Sequence, residues 1–320
     1  MKIAIIGAGA MGSLYGGYLS KSGEEVYLVD IWQEHIDKIN ENGLIIKEED
    51  RELITYPKAT TNASEIGIVD LVIVFVKSTL TREVVENNRD LLGPNTLVMS
   101  LQNGYGNIEQ IERYVKRDDI IAGITSHGAI MIGPGKISHA GRGDTCIGWV
   151  GCNKSNSIDA ISKLLHKSGF NTIISNNVME LVWKKLIVNA GINALTAILE
   201  VKNGELLNEE DTRTVMTMAI EEAVDVAEAA GIKLNKAETV EKVMKVAIDT
   251  ANNKSSMLQD ILNKRKTEID TINGAIVQEG KRYWIKTPVN QVLYNLIKAK
   301  ENQYLGGDYY EDYITNLNPH

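Results

Sequence analysis

Apolar runs of strand length open the chain and recur through its first half. Residues 2–7 (KIAIIG), 25–30 (EVYLVD), 70–77 (DLVIVFVK) and 95–101 (NTLVMSL) are short and rich in β-branched side chains. Between the first two lies AGAMGSLYGGYLSKSGE, which opens on glycines and closes near Gly23, the boundaries of a helix. Strands alternating with helices predict an α/β fold built on a parallel, doubly wound sheet of the Rossmann type. Residues 119–151 alternate and are rich in glycine, which predicts further strands or hairpins finishing that sheet. Residues 157–170 read as one more surface helix.

From about residue 175 the period changes to that of helices. The segments 176–199, 210–231, 236–253, 256–280 and 288–305 each carry apolar residues at helical intervals. The expected organisation is therefore a dinucleotide-binding domain over 1–174 and an all-helical C-terminal domain over 175–320. The tail GGDYYEDYITNLNPH reads as loosely held.

One helical segment carries an anomaly. In VWKKLIVNAGINALTAIL (182–199), Leu186, Ile187, Ile192, Leu195, Ile198 and Leu199 are apolar at helical spacing, yet Lys185, Asn189 and Asn193 recur every four residues. Four residues turn 400°, so the three polar groups fall on one narrow stripe about 12 Å long. A lysine on a helix usually snorkels to solvent, and aligned asparagines can pair between helices. An ammonium and two neutral amides along an apolar helix also suit one small polar ligand.

The glycines at the start say more. Gly7, Gly9 and Gly12 in IAIIGAGAMGSLYGG directly follow a strand and begin a helix. Gly7 permits the tight turn, Gly9 admits a pyrophosphate to the backbone, and Gly12 lets the helix close on the strand. The intervening Ala8, Ala10 and Met11 belong to the same phosphate-facing segment, where a helix N-terminus offers N–H groups and its positive dipole end. Asp30 ends the second strand, where a carboxylate accepts the ribose hydroxyls of NAD and repels the 2′-phosphate of NADP. NAD is therefore favoured over NADP. Lys77, at the carboxyl edge of the third run, could pair with a phosphate or a ribose.

Composition narrows the rest. At 320 residues, with 43% hydrophobic and 24% charged residues, the chain suits two ordinary globular domains. A net charge of -8 argues against a nucleic-acid or acidic-membrane surface. Cys146 and Cys152 have no metal or redox spacing, which fits a reduced, cytoplasmic setting. The N-terminus is neither a signal peptide nor a span, and no other stretch approaches twenty apolar residues. His127 and His139 form no metal or triad spacing and read as structural.

The motifs GAGAMG, VFVK, LQNGYG, TSHGA, WKKLIVNAGINALTAIL, NGELL, SSMLQD and TEIDTINGAIV together resemble those of the ketopantoate reductases (2-dehydropantoate 2-reductases) over essentially the whole chain. The resemblance implies NAD(P)H-dependent reduction of ketopantoate to pantoate at a cleft between a Rossmann and a helical domain. It implies Lys185 as proton donor and carbonyl polariser, with Glu268 near it and the nicotinamide end. Asn189 and Asn193 would hold the substrate, and Asn203 with Ser256, Met257, Leu258 and Gln259 would close around its carboxylate and hydroxyl. Asn103 would touch cofactor and substrate, and Ala129 and Lys77 would line the cofactor site. No metal is expected; the partner is a small 2-keto acid, and a homodimer stays open.

Two alternatives stand beside individual residues. Ser256–Gln259 also reads as a capping box, and Glu268 as the i+3 partner of Arg265. The family pattern usually carries an arginine just after the second strand, where VDIWQEH stands here. That departure raises a second reading, an NAD-dependent D-2-hydroxy acid dehydrogenase of the same family. A non-catalytic dinucleotide-sensing protein is a third.

Overall fold

The computed structural model describes residues 1–152 and 155–306, so the expectation for the C-terminal tail falls almost wholly outside the described residues. The chain forms two compact units, Met1–Val182 and the remainder from Trp183. The first carries strands β1 (Lys2–Ile6), β2 (Glu25–Val29), β3 (Leu44–Lys47), β4 (Glu52–Thr55), β5 (Lys58–Thr60), β6 (Leu71–Val74), β7 (Leu97–Ser100), β8 (Ile120–Thr125), β9 (Gly128–Gly133), β10 (Lys136–Gly141), β11 (Thr145–Trp149) and β12 (Thr172–Ile174). Its helices are α1 (Ala10–Lys21), α2 (Gln33–Asn42), α3 (Thr81–Asn87), α4 (Asn107–Ile111) and α5 (Ser157–Lys167).

Eight strands make the main sheet in the order β12-β11-β8-β7-β6-β1-β2-β5. From β5 to β8 every pairing is parallel, while β11 runs antiparallel to β8. The apolar runs are continuous because both faces are covered. Along β1, Ile3 and Ile5 enter the core beneath α1, α2 and α5, while Ala4 and Ile6 enter the opposite one with Val72, Val74 and Val98. Neighbours of β1 on its two sides are β2 and β6, so the strand order reverses there, and a crevice outside the carboxyl ends is the expected ligand site.

The 119–151 stretch does not simply finish that sheet. β8 and β11 do join it, but β9 and β10 form a second, four-stranded sheet with β3 and β4 in the order β4-β3-β10-β9. Strands β3, β4 and β5 are three or four residues each, too short for their periodicity to stand out in the sequence. Helix α1 lies between the two sheets: a methyl on Gly16 would meet Leu28, and one on Gly17 would meet Ile46.

Helix α6 (Val178–Leu199) begins in the first unit and continues through the second. The second unit adds α7 (Glu210–Ala229), α8 (Lys236–Asp249), α9 (Ser256–Leu262), α10 (Asn273–Arg282) and α11 (Pro288–Leu305), with α7 packed on α8, α10 and α11. Two expectations need correction here. Residues 256–280 are not one helix. Lys264 has φ 52, a short 3-10 turn covers Ile269–Thr271, and α10 starts only at Asn273. And α6 is long and apolar enough to be a membrane span by those measures alone (mean hydropathy 1.2), but 61% of its most apolar window is buried within the protein. It is a core helix whose last residue, Leu199, is exposed rather than packed.

Candidate active site

In the first unit the register levels the strand ends. Ile6 sits opposite Val29 on one side and Val74 on the other, so Gly7, Asp30 and Phe75 leave the sheet at one edge. Gly7 turns there with φ +95, and a methyl on it would come within 2.7 Å of the Val76 nitrogen. Gly12 touches the same turn: its added Cβ would lie 1.9 Å from the Gly7 carbonyl oxygen. At Gly9 a methyl would meet nothing within 4 Å, so space rather than protein faces the backbone at that point. A cavity of 570 Å³ opens here, bounded by Gly7, Gly9, Asp30, Asn62, Lys77 and Leu80 among others.

Asp30 Oδ1 accepts the Trp32 N–H at 3.0 Å, which holds the carboxylate at the rim. The adjoining Ile31 is 94% exposed and brings no cation. Lys77 lies beyond the strand it was expected to end, because β6 stops at Val74; it precedes the 3-10 turn Ser78–Leu80. Asn103 is half-buried after β7, its carbonyl accepting from Asn107 Nδ2 at 3.0 Å. Ala129 sits on β9 of the smaller sheet, paired with His139, and packs against the core rather than bounding this cavity.

The second unit carries the polar stripe. Lys185 and Asn189 are half-buried and Asn193 is buried, while Leu186, Ile187, Ala190 and Ala194 on either side are core residues. Burial pulls the Lys185 pKa down to about 8, and the charge of Glu268 acts in the opposite sense without restoring it. A buried amide pair buttresses this helix: Asn273 Nδ2 donates to the Ala190 carbonyl at 3.2 Å and to Asn290 Oδ1 at 3.0 Å. Asn290 donates in turn to the Ala219 carbonyl at 2.9 Å.

Asn203 is pinned by Nδ2 donating to Thr250 Oγ1 at 2.9 Å, while its Oδ1 is buried without a partner. In the 256–259 segment the cap is one residue earlier than the capping-box reading. Ser255 Oγ accepts the Leu258 N–H at 3.0 Å and is itself buried against Thr196, whereas Ser256 is exposed. Met257 and Leu258 put their side chains into the core, and Gln259 donates to the Lys254 carbonyl. Arg265 pairs with Asp260 at 3.2 Å, and Glu268 lies outside any α-helix, so the helical i+3 geometry between those two does not exist.

Residues 3–151 match the family described as ketopantoate reductase PanE/ApbA, and residues 177–301 match its C-terminal counterpart. The 2-dehydropantoate 2-reductase of Pyrococcus horikoshii is 38% identical over 307 residues, covering 96% of this chain and 99% of that one. The chain belongs to the ketopantoate reductase family. A relative of the same name from Halobacterium salinarum is 34% identical over 94% of this chain and 99% of its own. Among solved structures, a ternary D-mandelate dehydrogenase with NADH and anilino(oxo)acetate superposes with TM-score 0.90 at 34% identity, over 95% of this chain and 99% of that chain. A family ketopantoate reductase from Ralstonia eutropha JMP134 gives TM-score 0.88 at 32% identity, over 95% and 100%.

In this member of the ketopantoate reductase family, the supports of the glycine turn leave no signature in the sequence. His35 is fully buried, and its Nδ1 accepts the Gly135 N–H at 2.9 Å. Its Nε2 must then carry the proton and donate to Ser13 Oγ at 3.1 Å, which donates to the Ala8 carbonyl at 2.8 Å. Burial holds the His35 pKa below its ordinary value, in keeping with a neutral ring. No local spacing marks this chain of bonds, since Gly135 is a hundred residues away.

Proposed function

We propose that the protein reduces ketopantoate to pantoate, drawing hydride from a nicotinamide dinucleotide and a proton from Lys185. The observation that carries the reading is Lys185 itself, an ammonium among core residues whose pKa burial has lowered to about 8. A lysine at its ordinary value, about 10.4, is a sluggish acid near neutral pH; near 8 it is still largely protonated and gives its proton more readily. Its charge also stabilises the alkoxide that forms at the ketone oxygen.

The groups at the glycine turn fit a dinucleotide. Gly9 leaves open space for a pyrophosphate, Asp30 offers a carboxylate for ribose hydroxyls, and Lys77 faces the same cavity. What such a cofactor supplies when bound is a hydride for the ketone carbon. Asn189 and Asn193 orient the substrate, and the unpartnered Asn203 Oδ1 is an acceptor suited to a substrate hydroxyl rather than to its carboxylate. The exposed Ser256 hydroxyl and Asn103 complete the contacts, and Glu268 sets the charge felt by Lys185. We read NAD as preferred over NADP, since the residue that follows Asp30 is the apolar, exposed Ile31.

The test is initial rate with ketopantoate, NADH against NADPH, for the wild type and Asp30→Ala. NADH should be preferred and Asp30→Ala should erode that preference; an NADPH preference in the wild type would overturn the role of Asp30. A second reading, an NAD-dependent D-2-hydroxy acid dehydrogenase, is favoured by Asp30 together with the likeness to a D-mandelate dehydrogenase bound to NADH. Higher kcat/KM on bulky 2-keto acids than on ketopantoate would select it. Turnover with either substrate rules out a sensing protein.

A further inference from the structure

Glu268 stands between α9 and α10 as the cap of the 3-10 turn Ile269–Thr271, with backbone φ -98 and ψ 24, and its carbonyl accepts the Thr271 and Ile272 N–H groups at 3.1 Å. That conformation lies in the sparsely populated bridge between the helical and extended regions, which persists where the surrounding bonds over-determine it. The residues on either side are held from α11. Thr267 is fully buried, and both its N–H (2.6 Å) and its hydroxyl (2.7 Å) donate to Glu301 Oε1, a carboxylate only 1% exposed. The same Thr267 oxygen accepts the Ile269 N–H at 3.2 Å, so one hydroxyl bridges across Glu268. Glu301 Oε2 meets Lys298 Nζ at 3.1 Å, and Lys298 also reaches Asp270 Oδ2 at 3.3 Å, whose other oxygen accepts from Tyr294 at 3.0 Å.

We infer that Glu301 is a positioning residue for the reduction, clamping Thr267 so that the carboxylate of Glu268 is held toward Lys185. The inference rests on the proposed role of Lys185 and Glu268. A buried glutamate has no ordinary packing role; it is retained at a desolvation cost that its three hydrogen-bonded partners offset. The charged and titratable groups around the clamp are Lys298, Asp270, Tyr294, Tyr304, Asp260 and Arg265. Burial would lower the Lys298 pKa, but the carboxylates of Glu301 and Asp270 hold it above its ordinary value, so its cation persists across the working range. Glu268 raises the pKa of Lys185, so loosening the clamp must lower it.

The experiment is the pH dependence of kcat for ketopantoate reduction in wild type, Glu268→Gln, Glu301→Ala, Glu301→Gln and Thr267→Val. Loss of the proton from Lys185 gives an alkaline limb. That limb should move to lower pH in Glu268→Gln and, to a smaller degree, in Glu301→Ala and Thr267→Val. Glu301→Gln keeps an oxygen for Thr267 and should keep the wild-type limb while losing thermal stability through Lys298. In Glu268→Gln/Glu301→Ala the limb should move no further than in Glu268→Gln alone. A limb that shifts in Glu268→Gln but not in either Glu301→Ala or Thr267→Val overturns the clamp and leaves the reading of Lys185 standing. A limb that shifts in none of them overturns both. If Glu301→Ala does not fold, Thr267→Val decides alone, since it keeps the backbone bond and loses only the bridging hydroxyl.

Discussion

Lys185 combines two properties that work against each other. Its folded pKa, about 8, lies below the unfolded value, so the unfolded chain binds more protons between the two. Stability therefore rises with pH across that window, and below it the ammonium is held at a cost. Lys185→Met should lose at least ~100-fold in turnover, as removal of an essential acid does, and melt no lower than wild type at pH 7; a lower melting temperature would mean the ammonium is a structural asset. The proton assignment predicts opposite pH trends in the two directions. Ketopantoate reduction should fall as pH rises through about 8, while pantoate oxidation, which needs the neutral amine, should rise. Parallel trends in both directions would exclude Lys185 as the group that titrates. The stripe of Lys185, Asn189 and Asn193 was legible in the sequence because it depends only on helical period. Its supports, Asn273 from α10 and behind it Asn290 from α11, were not, because Asn273 meets α6, and Asn290 meets Asn273, only after the chain has folded back.

Elements separate residues that the sequence presents as one motif. Gly9 and Gly12 are equal members of the glycine pattern, yet one faces space and the other the Gly7 carbonyl. Gly12→Ala forces α1 from β1 and should cost about 1–3 kcal/mol, as overpacking does, with weakened cofactor binding as a consequence. Gly9→Ala keeps a negative φ (-61) and should leave stability within about 0.5 kcal/mol, yet raise the Kd for NADH at least tenfold. Equal losses of stability in the two variants would mean that Gly9 is structural. The serine pair in SSMLQ divides in the same way. Ser255→Ala removes the cap on α9 and should cost about 1 kcal/mol, whereas Ser256→Ala should spare the melting temperature and raise KM for ketopantoate. The sequence suggested the cap one residue late because either serine satisfies the pattern; the choice is made by Thr196 of α6, whose hydroxyl lies 2.7 Å from Ser255 Oγ. Helix breaks were the least legible feature. Nothing in the period of 256–280 announces the turn at Lys264, beyond which Thr267 is bonded to Glu301 far along the chain.

At the scale of the whole chain, the alternation of strands and helices was enough to place a parallel sheet and a helical second half, because burial on both sheet faces writes itself into continuous apolar runs. The smaller sheet escaped notice since β3 and β4 are only four residues each and all its strands are partly exposed, and polar groups join it to α1 beside the apolar packing of Leu44 and Ile46. Tyr18 on α1 donates to Glu48 beyond β3, so its oxygen accepts from His139 Nδ1 at 3.0 Å. His139 Nε2 is then the acceptor for His127 Nδ1–H at 3.0 Å, and His127 Nε2 ends the chain as a buried lone pair without a partner. Every ring in this line must be neutral, and a proton on His127 Nε2 would be a buried donor with nowhere to point. Burial, then the repulsion a protonated His139 would exert and the charge of Arg142, lowers the His127 pKa to about 4, and burial lowers that of His139 too. Folded values below the unfolded one mean that the unfolded chain takes up protons first as pH falls. The stability these rings contribute is therefore complete above the ordinary histidine value, about 6.5, and is lost progressively down to about pH 4. The melting temperature should fall between pH 7 and pH 5, and His127→Gln/His139→Gln should flatten that slope while lowering the starting point at pH 7. An unchanged slope in the double variant would place the acid-sensitive groups elsewhere, with the neutral His35 beneath the glycine turn as the next to replace.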